Sequence, residues 1–105
     1  MAKSKRVSNK DAIPEIANRR PFHANSMTGT EGKTDTGRMH PDDAAVYKDA
    51  NPSYTVRSYA TPIAWHEEGK GWTQSQAKYS STTSRHQSIV GRAVHFQNGH
   101  DAAKA

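Results

Sequence analysis

Five aliphatic hydroxyls follow one another from Ser80 to Ser84, and Arg85, His86 and Gln87 come directly after them. Hydroxyl groups, a forked guanidinium and a ring N–H are the donors that hold an oxyanion, above all a phosphate. If the run opens a helix, the unpaired N–H groups and the positive end of the dipole favour an anion at the same place. Ser84 and Gln87 have the spacing of a capping box, which predicts a helix from about Ser84 to Gln97. Ile89, Val90, Ala93 and Val94 then recur on one face, and Asn98-Gly99 reads as its stop. Arg85 and Arg92, seven apart, share another side that is expected to face solvent. Thr82, Thr83, Ser84, Arg85 and His86 therefore form a candidate phosphate site. The plainer reading of the same residues is a helix cap, with Thr82 and Thr83 finishing a strand.

Other chemistries find less support. The chain has no cysteine, which removes disulfides, thiolate nucleophiles and thiolate zinc sites. Its six histidines lack metal-ligand spacing: His86 and His95 lie nine apart, on opposite sides of a continuous helix. Neither a metal nor another cofactor is expected. An enzyme of phosphodiesterase type would use His66 or His86 as acid or base, Arg85 as anion stabiliser and Glu67 or Glu68 as carboxylate. No nucleophile elbow, P-loop or metal motif accompanies them, so the expectation is a protein that is not an enzyme. Trp65, Trp72, Tyr54, Tyr59 and Tyr79 would serve as a stacking face for bases or, in a chain without leucine, as the core itself. Trp65 is expected to be buried and Trp72 to stay partly exposed as the better stacking residue, the two meeting near cross-strand positions.

Charge and composition bound the partners. The net charge of +5 is uneven: residues 1–20 carry +4, residues 21–52 carry −2 and residues 53–98 carry +3. A basic arm and a basic domain thus flank an acidic connector, a pattern that suits a polyanion partner and also plain solubility. No window approaches the roughly 18 consecutive apolar residues of a membrane span, and no apolar segment follows the N-terminal lysines. A soluble, cytoplasmic protein without a membrane role is expected.

The elements that would position these groups are read from periodicity. Residues 1–40 are polar or rich in glycine and threonine, and are assigned to a flexible, disordered basic arm and linker. Pro41 with Asp42 and Asp43 opens a short helix that ends near Asp49, before Asn51-Pro52. From Tyr54 the alternation changes to a period of two, with Tyr54, Val56 and Ser58 opposed to Thr55, Arg57 and Tyr59. Pro62 places an edge, bulge or bend there. Gly69 and Gly71 mark a hairpin turn. Residues 41–98 are expected to form a small α+β domain: an antiparallel sheet of about three strands from Tyr54 to Ser80, packed by the C-terminal helix, with residues 99–105 frayed.

The strings "YTVRSYATPIAW" and "KYSSTTSRHQ", with the glycine turn and Trp72 between them, resemble a family of small uncharacterised proteins from actinobacteria and their tailed phages. The resemblance covers about residues 54–94, with an echo in "RRPFHANSMTG", and "TQSQ" after Trp72 departs from it. It implies no activity that could be carried onto particular residues.

The sequence thus predicts a non-enzymatic binding protein of phage type, with DNA or RNA as the leading partner. Arg57, Lys78, Arg85 and Arg92 would supply phosphate contacts beside Thr82, Thr83, Ser84 and His86, with Trp72 as the stacking residue. A phage-encoded protein that binds and modulates a host protein is the alternative, placing the chain in the host cytoplasm.

Overall fold

The structure, a computed structural model, describes residues 5–75, 77 and 79–104, with side chains to position 94. In chain order the elements are β1 (Lys5–Arg6), α1 (Ala12–Ala17), β2 (Phe22–Ala24), β3 (Met27–Glu31), α2 (Pro41–Asp49), β4 (Tyr54–Ser58), β5 (Thr61–Glu67), β6 (Gly71–Gln74) and α3 (Ser81–Lys104). Alternation in β4 sorts the layers. Tyr54, Val56 and Ser58 turn to the side covered by α1 and α3, and Thr55 turns to the side covered by α2.

One sheet holds all six strands in sequence order, with β1 parallel to β2 and every other pair antiparallel. This overturns the expectation of about three strands. The additional strands come from the part of the chain assigned to arm and linker, where β1, α1, β2 and β3 occupy residues 5–31. Ile16, Phe22 and Met27 from this part are wholly buried in the main core, together with Tyr54, Val56, Ile63 and Val90. Strands of two, three and five residues are too short to show periodicity, and their pairing with β4 is a tertiary event.

Gly29 explains why a core strand reads as linker. A Cβ at that position would collide with the Tyr54 hydroxyl and the Phe22 ring, so the glycine serves close approach and not a turn. Tyr54 needs that space because its hydroxyl donates to the Arg20 carbonyl at 2.7 Å. Burial and the neighbouring Glu15 carboxylate raise the Tyr54 pKa far above its ordinary value, so it stays a donor. Glu15 is itself buried and accepts from Arg20 Nε at 2.8 Å, with Lys5 Nζ 3.8 Å away, which ties β1 and the α1 exit together.

On the other side, Tyr47 of α2 and Trp65 of β5 meet edge to face at 4.9 Å, with Met39 completing a second small core. The Tyr47 hydroxyl lies 2.9 Å from Thr55 Oγ1. The register shifts between Val56 and Arg57, opposite Pro62, as a proline that cannot donate requires. Gly69 and Gly71 take positive φ at the β5–β6 turn, where a hairpin was expected. Trp65 and Trp72 do not share a face: Trp65 pairs with Thr73 and His66 with Trp72. The last helix starts earlier than predicted and continues through Asn98-Gly99 to Lys104. A single interior glycine costs only about 1 kcal/mol and does not by itself end a helix.

Two stability outcomes follow from this packing. Gly29→Ala should destabilise the domain by about 1–3 kcal/mol in urea unfolding, as for overpacked cores. Deleting residues 1–20 should abolish cooperative unfolding, because it removes β1 and α1 with buried Ala12, Ile16 and Ala17. A truncated chain with an unchanged Tm would show that these elements are dispensable.

Candidate nucleic-acid interface

The hydroxyl run does cap a helix, one turn earlier than the spacing predicts. Thr83 N–H donates to Ser80 Oγ at 3.2 Å, which makes Ser80 the cap of α3. Ser84 lies inside the first turn, its N–H donating to the Ser80 carbonyl at 2.9 Å, so the Ser84–Gln87 box is not formed. Gln87 instead donates to the Ser75 and Ala77 carbonyls, at 3.2 and 3.1 Å, and ties the chain just after β6 to the helix.

The earlier start turns the predicted site residues in different directions. Thr83 and His86 point inward, where Ser58 Oγ lies 3.0 Å from Thr83 Oγ1 and 2.7 Å from His86 Nδ1. Ser80 Oγ donates to Thr83 Oγ1 at 3.1 Å and closes the network. Burial lowers the His86 pKa, and the nearby Arg85 charge lowers it further, so both favour the neutral ring. A serine bonded to a histidine is the pairing used by activated nucleophiles. Here each of the two side chains is only 1% exposed, and the pair ties the β4–β5 hairpin to the helix. Ser84 and Arg85 face solvent, and Thr82 is half-buried.

Above the network lies a mainly apolar cleft of about 560 Å³. Ser58 and Thr83 contribute to its lining, Tyr59 and Tyr79 are its aromatic residues, and Arg38, Thr61 and Ser80 add polar groups. Tyr79 is anchored by its hydroxyl, which accepts from His40 N–H at 3.0 Å and reaches Asp43 Oδ2 at 3.5 Å. Tyr59 is 58% exposed and has φ +57° in the two-residue turn between β4 and β5, a conformation that disfavours a bulky side chain.

A second groove, of about 310 Å³, runs between α1 and α3 and is lined by Lys10, Ile13, Arg85, Ser88, Ile89 and Arg92. Three cations meet there with no carboxylate in the lining, and none of the three is in an ion pair among the described residues. Arg85 and Arg92 thus come together on the solvent side of α3. Arg57 does not join them: it alternates with Ser58 and lies on the opposite face of the sheet, in register with Thr28. Trp72 is also elsewhere, half-buried against the main core and edge to face with Tyr54 at 6.0 Å and His66 at 5.3 Å. Lys78 lies outside the described residues. The sequence offers Tyr59 only as one of five aromatics for a stacking face or a core, and it gives no sign of Arg38 or Lys10, whose partners in the groove are about 75 residues away from Lys10 in sequence.

No group of three or more metal-ligating side chains comes together among the described residues, and no described helix is long and apolar enough to cross a membrane. The architecture is that of a small α+β domain carrying a cleft and a cationic groove on either side of the first turns of its last helix. By sequence the chain belongs to a family of unknown function, DUF8033, whose model matches residues 14–101. No curated protein and no solved structure matches the chain.

The buried imidazole makes stability depend on pH with a definite sign. His86 is depressed below its ordinary pKa, so its contribution is fully present above about pH 6.5 and is lost as pH falls below that value. His66, also depressed by burial and by Arg19, acts in the same direction. Tm should be flat from pH 8 to 7 and fall from pH 7 to 5 in scanning calorimetry. His86→Gln should start from a lower Tm and lose less of it over the same interval. An equal loss in the variant would remove His86 as the titrating group.

Proposed function

We propose that the domain is a non-enzymatic, phage-type nucleic-acid-binding or regulatory protein that holds a phosphate backbone in the Lys10–Arg85–Arg92 groove. The observation that carries the reading is the convergence on one groove of three cations that have no ion-pair partner and no acidic neighbour in the lining among the described residues. The +5 net charge adds a long-range attraction for polyanions. Compared with the sequence reading, the phosphate contacts move from the helix cap to the outer side of α3, because Thr83 and His86 are used internally. Such contacts position a strand and do not read its sequence.

Salt dependence tests the reading. Each phosphate neutralised on a single strand contributes about −0.7 to the slope of log K against log salt, so three contacts give roughly −2. Arg85→Ala, Arg92→Ala and Lys10→Ala should each weaken oligonucleotide binding alike across sequences and flatten that slope by about 0.7. Their stabilities should remain within about 0.5 kcal/mol of the parent, since all three side chains are exposed. Fluorescence anisotropy from 50 to 300 mM NaCl measures both quantities. Unchanged affinity in the triple variant would overturn the proposal. Capture of a host protein that survives nuclease and high salt would favour the second reading, a modulator of a host protein.

A further inference from the structure

From the cleft beside the groove we infer that the domain takes up one unstacked base of a single-stranded nucleic acid between Tyr59 and Tyr79, resting in part on the groove assignment above. Its volume of about 560 Å³ lies within the roughly 300–1,000 Å³ of small-ligand pockets. Tyr79 is a fixed aromatic wall, because His40 N–H and Asp43 hold its hydroxyl. Tyr59 is the exposed counterpart: it is 58% exposed, its ring tilted 6.4 Å from that of His86, at a left-handed φ that a glycine would occupy without strain. A large exposed ring kept in a strained turn beside an apolar cleft is where a functional contact is expected. Arg38 at the same cleft supplies a cation for the attached phosphate, and its backbone N–H is held by Thr61 Oγ1 at 3.1 Å. Among the described residues no carboxylate lines the cleft.

The two sites are compatible with one strand. From Ser80, which lines the cleft, to Ser88, which lines the groove, α3 rises about 12 Å at 1.5 Å per residue. The helical rotation places exposed Ser81, Ser84 and Ser88 on the surface between them. Small hydroxyl side chains leave room for a backbone and donate to it. A base inserted at Tyr59 would thus be followed by phosphates that reach Arg85, Arg92 and Lys10.

The test compares binding of a short fluorescent oligothymidylate with that of an abasic oligonucleotide of the same length, with the oligouridylate in parallel to separate DNA from RNA. The parent protein should prefer the base-carrying strand by on the order of tenfold, as expected for one stacked base. Tyr59→Gly, which relieves the turn and should not lower Tm, is expected to abolish that preference while leaving abasic binding and its salt slope unchanged. Equal binding of both strands by the parent, or a preference that persists in Tyr59→Gly, would overturn the inference while leaving the groove in place. A base preference that persists when Arg85 and Arg92 are both replaced by alanine, with no change in salt slope, would overturn the groove and keep the cleft. Absence of binding to either strand would overturn both.

Discussion

The contact on which the rest depends is the buried group of Ser58, Thr83 and His86, closed from the solvent side by the exposed Ser80. A hydroxyl buried without a partner costs about 1–3 kcal/mol, and here two buried hydroxyls and an imidazole satisfy one another across the join of the β4–β5 hairpin and α3. The network sets the rotation of the helix. With Thr83 and His86 directed inward, Val90, Ala93 and Val94 follow onto the sheet, and Arg85 and Arg92 are turned out. It also brings the Tyr59 turn and the Tyr79 segment to either side of one opening. Cleft and groove are thus two consequences of one set of hydrogen bonds.

A second constraint is the N-terminal segment. α1 packs against α3 on the helix side of the sheet, and β2 and β3 extend the sheet past β4. The Tyr54 hydroxyl bond to the Arg20 carbonyl and the Glu15–Arg20 pair close this part onto the hairpins. Lys10 therefore enters the groove because α1 is docked, and not because a flexible arm happens to reach it. The electrostatic surface and the core share the same residues of chain, which is how so small a protein without leucine or disulfides has both.

Hydrogen-bond accounting also separates structural from available groups. Thr83 and His86 look like anion ligands in a linear reading, yet each is engaged by the protein itself. Arg85, Arg92 and Lys10 are engaged by no described acid, and Tyr59 holds an exposed ring in a costly turn. Available cations and unexplained strain, more than the density of polar residues, mark where a ligand would sit.

Local patterns alone settled what is local. The α2 helix follows from Pro41 at its first turn and the acids behind it, and the β5–β6 turn from glycines that tolerate positive φ. The outward placement of Arg85 and Arg92 also follows from helical spacing, and the half-exposure of Trp72 from the glycines and polar residues beside it. Tertiary structure decided the rest. Five successive hydroxyls offer several equivalent caps, and only the demand of Ser58 for partners selects Ser80. The glycine and threonines of β3 resemble a linker until Tyr54 and Phe22 occupy the space that Gly29 leaves. Short strands have too few residues for a period to show, and a groove built from Lys10 and Arg85 exists only once α1 has docked, because no local pattern encodes a contact between residues that far apart.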